Sequence, residues 1–201
     1  MTNLIGLITP PKTRLTPLSP DEILAGQHIM DALSKDHGFK PGTVRGKATA
    51  SFTKALTAKC ITTLARRYGR DTMVASVESY DSARGRSADL FGIVDLLCIE
   101  CDPPRTRYIQ ACGKDWQPHI TKMADYDHIN ATRRILANPS NTLELWGWQQ
   151  YDRIKSDGTP GRQKFWLPRV QLITLDFLLG HSPPQMVQFF EASMPEVFTD
   201  D

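Results

Sequence analysis

Apolar positions recur at helical spacing through the first third of the chain and at strand spacing through much of the rest. Ser19-Pro20-Asp21-Glu22 is a helix start, with serine at the cap, proline at the first helical position and glutamate at the third. Ile23, Leu24, Met30 and Leu33, interrupted by Gln27 and Asp31, give that helix an imperfect apolar stripe ending near Gly38. Phe52, Leu56, Cys60, Ile61 and Leu64 predict a second helix from about Ser51 to Tyr68, stopped by Gly69. Met73, Val74, Val77 and Tyr80 suggest a strand from Thr72 to Tyr80, followed by a polar, Arg-rich connection from Asp81 to Ser87. A hairpin then spans Asp89 to Lys114, with one arm from Ile93 to Ile99 and another from Arg107 to Cys112. Gln117-Pro118 opens a third helix marked by Ile120, Met123, Ile129, Ile135 and Leu136, ending at Asn138-Pro139. Leu143 to Tyr151 and Lys164 to Leu172 read as strands around the turn Asp157-Gly158-Thr159-Pro160-Gly161. Short helices are expected at Ile173 to Leu179 and Pro184 to Ala192.

This order predicts an α/β fold, a mixed sheet flanked by helices, in three parts. They are an N-terminal arm and helix (1–48), a core (49–172) and a C-terminal helical, acidic extension (173–201). The length of 201 residues suits one domain with extensions. No apolar run is long enough to span a bilayer, and the N-terminus lacks a secretory pattern, so a cytoplasmic location is the default expectation.

Net charge is only +2 but unevenly distributed. Between His37 and Arg70 stand Lys40, Arg45, Lys47, Lys54, Lys59, Arg66, Arg67 and Arg70 with no acid among them, whereas Asp176, Glu191, Glu196, Asp200 and Asp201 follow the last cation, Arg169. The basic block suits a phosphate backbone or, more plainly, a solvated face. Cys98 and Cys101 have the spacing of half a zinc site, but no second such pair accompanies them, and buried thiols are the simpler reading.

The informative position is Asp95, in the middle of an apolar arm that expects cover on both faces. A carboxylate there needs a metal, hydrogen bonds or a partner such as Arg84, Arg86 or Arg107. Gln110 stands on the facing arm and Lys114 follows in phase with it, roughly 7 Å beyond Cys112 by strand rise, with Gly113 between. Asp89 is in phase with Asp95 but about 20 Å away along an unbroken strand, so only a bulge or turn at Gly92 brings it nearer. Glu78 is another nearby acid. Cys112 and His119 leave a Cys/His nucleophile open, without a recognisable oxyanion hole. Trp146, Trp148 and Trp166 read as core residues rather than base-stacking platforms.

A helix, a three-stranded antiparallel meander, a helix and a strand, with a carboxylate in the hairpin, resemble the PD-(D/E)XK, or restriction-endonuclease-like, nucleases over about Ser51 to Tyr151. Ala88-Asp-Leu-Phe-Gly-Ile-Val-Asp95, Ile109-Gln-Ala-Cys112, His119 with Lys122, and Leu143-Glu-Leu-Trp-Gly-Trp148 resemble a phage and prophage group of Holliday-junction-resolvase-like proteins. The resemblance implies a phage-encoded, metal-dependent DNA endonuclease, acting on linear or branched DNA and working as a homodimer where it cuts both strands. Asp95 matches the first metal-binding aspartate and Gln110 the Asp/Glu/Gln position, so both would bind Mg²⁺ or Mn²⁺. Cys112 stands where the family has lysine, which makes Lys114 and Lys122 candidates for the missing ammonium and His119 a further catalytic candidate. Lys54, Lys59, Arg66, Arg67, Arg84 and Arg86 would hold phosphates. The glutamate usual on the family's first helix is missing from Ser51 to Tyr68. The rival expectation is a protein that keeps the fold without catalysis and binds nucleic acid or a host or virion protein.

Overall fold

The computed structural model describes residues 12, 16–39, 49–77, 79–81 and 86–192, with backbone alone at 79–81 and 86–88. The basic loop Lys40 to Lys47, Glu78, Arg84 and the acidic residues Glu196, Asp200 and Asp201 lie outside the described residues.

Helix α1 (Pro20–His37) starts on the expected capping box, in which Ser19 Oγ accepts from Glu22 N at 3.2 Å and Glu22 Oε2 accepts from Ser19 N at 2.7 Å. Helix α2 (Ala50–Arg67) buries Leu56, Cys60, Ile61 and Leu64. Thr57 and Thr63 share that buried face because their hydroxyls donate to the helix's own carbonyls, at 2.8 and 2.7 Å.

Strand β1 (Thr72–Ser76) is followed by a small hairpin of β2 (Ser79–Asp81) and β3 (Arg86–Ala88), where the sequence suggested one longer strand and a connection. Then come β4 (Leu96–Cys101), β5 (Pro104–Cys112), α3 (Gln117–Ala124), α4 (Ile129–Leu136), β6 (Asn141–Ile154), β7 (Pro160–Leu172), α5 (Leu175–Leu178), β8 (Gln185–Val187) and α6 (Phe189–Ala192). The main sheet is six-stranded in the order β1-β4-β5-β6-β7-β8. Among the described residues only β5 and β6 pair in parallel, and α3 with α4 supplies the long crossover that a parallel pair needs.

Three expectations change. The third helix is broken in two at Asp125, whose carboxylate takes the His128 backbone N–H at 2.9 Å and whose backbone leaves the helical region. The first hairpin arm is shorter, because residues 89–95 form a turn before β4 begins. The expected last helix is strand β8 followed by the one-turn α6.

The sheet lies between two apolar cores. On one face, Leu96, Ile109, Trp146 and Trp148 pack with α1 and α2. On the other, Cys112, Leu143 and Leu145 pack with Ile93, Val94, α3, α4 and α5. The alternation along β6 assigns its residues to the two cores in turn. Gly147 is required there, since a Cβ would stand 2.1 Å from Nε1 of the buried Trp116. Among the described residues no helix is long and apolar enough to cross a membrane.

Candidate active site

The site forms where β4 leaves β5. Pairing between the two strands starts at Leu96 and Ile109, and just before it Asp95 N donates to Ile109 O at 2.9 Å. Beyond that point β5 runs on alone along this edge, and its next inward amide, Ala111 N, donates instead to Asp95 Oδ2 at 2.8 Å. The Gln110 side-chain amide donates to the same oxygen at 2.6 Å. A buried carboxylate thus replaces the missing rung of the ladder.

Upstream, the chain turns sharply. Gly92 N donates to Asp89 O at 2.8 Å, and Leu90 bridges Val94. Phe91 and Gly92 both have positive φ, 55° and 75°. This turn at Gly92 meets the condition set above for Asp89 to approach, and it folds Asp89 back until its carboxylate lies within hydrogen-bonding reach of Asp95. Lys122 Nζ on α3 meets Asp89 Oδ2 at 3.4 Å.

Burial pushes the Asp95 carboxyl up, against the lowering effect of the Ala111 hydrogen bond, and the charge of Asp89 pushes it further. Lys54 on α2 only partly offsets this, and the Asp95 pKa is raised to about 6. His119, half-buried on α3, is pushed down by burial and by the Lys122 charge, against the pull of Asp89 and Asp115, which favours the neutral imidazole.

A cavity of about 680 Å³ opens beyond the end of β5, lined among others by Cys112, Lys114, His119, Trp148 and Trp166. Lys114 is exposed and outside the strand, which stops at Cys112, so the alternation that put it in phase with Gln110 does not extend to it. The Cys112 thiol is pushed up to about 12 by burial and by the charges of Asp95 and Asp115, which disfavours a thiolate nucleophile. Trp146, Trp148 and Trp166 are all buried in the core. The Trp146 and Trp148 indoles donate to Glu144 and Thr57.

The helix cations do not converge on the carboxylates. Lys54 faces Asp95, Lys59 lies over the Phe39 ring, Arg67 pairs with Asp36 at 3.0 Å, and Arg66 is exposed. Arg86 is placed by its backbone in β3, and Arg84 lies outside the described residues. Cys98 is buried and Cys101 exposed.

Arg107, weighed above as a partner for Asp95, points to the opposite face. It donates to both Glu144 carboxylate oxygens at 2.8 Å and to Glu100 at 3.1 Å, wholly buried. Arg105 adds a second cation on Glu100. Glu144 was missed as a charged centre, although a glutamate between Leu143 and Leu145 signals a buried ion pair as plainly as Asp95 does.

Asp89, Asp95 and the Gln110 amide oxygen are hard donors of the kind Mg²⁺ and Mn²⁺ take, and the mutual repulsion of the two acids is what a cation relieves. Among the described residues no group of three His, Cys, Asp or Glu side chains is spaced to hold a metal ion. An ion here would therefore rest on two carboxylates, an amide and water. Comparison with family models, curated proteins and solved structures finds no match for the chain.

Proposed function

We propose that the protein is a divalent-metal-dependent DNA endonuclease with a restriction-endonuclease-like core. The observation that carries the reading is that Asp95, buried at the point where two strands part, meets a second carboxylate and the Gln110 amide, while Arg107 is committed to Glu144 and Glu100 on the opposite face. The succession α2, meander β1-β4-β5, helices α3 and α4, then β6 parallel to β5 follows the order expected of that core and supports the same reading.

Asp89, Asp95 and Gln110 would hold Mg²⁺ or Mn²⁺, which supplies charge neutralisation of the phosphate and a more acidic water. Lys122 holds Asp89 in place and presents an ammonium beside the bound phosphate, in the role that Cys112 cannot fill. His119, whose surroundings favour the neutral imidazole, stands one helical turn from Lys122 as a proton acceptor. Lys54 draws the phosphate toward the carboxylates. The buried, protonated Cys112 at the family's lysine position favours a second reading, a protein that binds through the same surface without cutting.

Titrating Mg²⁺ or Mn²⁺ over a labelled four-way junction and a linear duplex separates the two. The nuclease cuts only with metal and loses at least roughly 100-fold in rate in Asp95→Asn, with a smaller loss in Lys122→Ala. Salt-sensitive binding without cutting establishes the second reading. Absence of any DNA affinity rejects both nucleic-acid readings and leaves a protein partner.

A further inference from the structure

The turn that brings Asp89 to Asp95 carries a residue that its folding does not explain. Phe91 and Gly92 occupy adjacent positions of positive φ, where Asn-Gly or Gly-Gly is the ordinary choice and a bulky side chain is strained. Phe91 gains little burial in exchange, since the residue remains 55 % exposed. The turn is also braced. A Cβ at Gly92 would stand 2.4 Å from His128 Nε2, and the other ring nitrogen of His128 lies 2.6 Å from Asp125 Oδ1. His128 and Asp125 belong to the α3–α4 connection, whose Tyr126 is 68 % exposed. Two exposed aromatic rings are thus carried by two segments that meet at Gly92 and His128, directly after Asp89.

We infer that Phe91, assisted by Tyr126, is a stacking wedge for an unpaired or unstacked nucleobase beside the phosphate held at Asp89 and Asp95, so that the substrate class is DNA with a gap or single-stranded character. This rests on the nuclease reading and extends it to substrate shape. An exposed aromatic face takes any base without reading sequence, and an apolar ring braced from behind can enter a step already open. A fully paired duplex offers such a ring no free π-face without the cost of unstacking.

The test uses full-length protein in the Asp95→Asn background without metal, and two probes, a gapped duplex with 2-aminopurine next to the gap and its fully paired counterpart. Expected are preferential binding of the gapped probe with a change in 2-aminopurine fluorescence. Phe91→Gly should lose roughly tenfold in affinity for the gapped probe and little for the paired one. Because glycine relieves the positive φ, the same variant should melt at the same temperature as its parent or a few degrees higher, roughly 2–4 °C. Phe91→Trp should keep the affinity, with its indole fluorescence quenched on binding. Unchanged binding in Phe91→Gly, equal affinity for the two probes, or a lowered melting temperature in Phe91→Gly would each overturn the wedge while leaving the nuclease reading intact. If the parent binds neither probe, the nucleic-acid reading of the site fails and the wedge with it.

Discussion

Two clusters of charge sit in the same sheet and are handled in opposite ways. Around Arg107, every buried charge has its complement: Glu144 takes two hydrogen bonds from the guanidinium, one from Trp146 and one from Thr142, and Glu100 is shared by Arg107 and Arg105. Burial alone would raise the Glu144 carboxyl and lower the Arg107 guanidinium. The pairing overturns both, so the acid is held below its ordinary value and the base above. At the parting of β4 and β5 the balance is different. Asp95 takes hydrogen bonds from Gln110 and Ala111, faces Asp89, and is raised to about 6, chiefly by burial. The first arrangement spends its charges on holding the strands together. The second sets two carboxylates against each other, one of them buried and raised to about 6, which is a property of sites rather than of cores.

The contrast is broken most severely by Arg107→Met. Removing the guanidinium leaves Glu144 buried without its two-pronged partner, while Glu100 keeps Arg105 and, at 3.9 Å, Arg70, and loss of one partner from a buried pair costs about 3–5 kcal/mol. Urea unfolding at pH 7 should show that loss, and adding Glu144→Gln should recover part of it by deleting the stranded charge. A loss below about 1 kcal/mol in the single variant would mean that the cluster is not what secures the sheet.

Asp95→Asn should act in the other direction. The folded-state pKa, about 6, lies above the ordinary carboxylate value of 3.8. Below about pH 4 the group is protonated in both folded and unfolded chains and its contribution to stability is fully present. As pH rises through about 6 the folded protein must ionise it against burial and Asp89, and that contribution is lost. The shift of two pH units corresponds to about 3 kcal/mol. Asparagine keeps an acceptor for Ala111 N and Gln110 without the charge. The variant should therefore gain about 1–3 kcal/mol over the parent at pH 8 and nothing near pH 4, while losing metal-dependent cutting. A variant less stable than the parent at pH 8 would place a compensating cation on Asp95 and dissolve the difference between the two clusters.

How much of this was readable from the chain depends on what each residue's signal contains. The Ser19 box and the apolar stripe of α2 are local patterns, and they specify their helices nearly to the residue. The strands Leu143 to Tyr151 and Lys164 to Leu172 were placed, though toward the hairpin turn they extend further in the molecule, to Ile154 and back to Pro160, because the hairpin keeps pairing where its faces become polar. Strand parity also held information left unused: Arg107 and Gln110 are three apart, so they face opposite sides and cannot both serve Asp95. The turn at 89–94 was not legible as a turn, since Phe-Gly in place of Asn-Gly reads as part of an apolar arm. Its core-facing residues, Ile93 and Val94, are as apolar as a strand. Asp89 thus entered only conditionally, and the two-carboxylate geometry had to wait for the fold.

The smallest effect is expected at Cys112, and it sharpens the comparison from the side of the site. Its thiol is buried at the cavity wall, with its pKa pushed up to about 12 by burial first and then by the charges of Asp95 and Asp115, which oppose a further negative charge. A thiolate nucleophile needs the reverse surroundings, a cation or a helix N-terminus to lower the pKa. Cys112→Ala should therefore leave the cutting rate within roughly twofold of the parent and cost about 1 kcal/mol of stability for the small void. Iodoacetamide should leave the folded parent unmodified at pH 7, because alkylation requires the thiolate. Rapid alkylation of the native protein, or loss of cutting in a stably folded Cys112→Ala, would mean that a positive group reaches this sulfur. The carboxylates would then no longer be the dominant charge of the site, and the metal-holding role argued for Asp89 and Asp95 would lose its electrostatic basis.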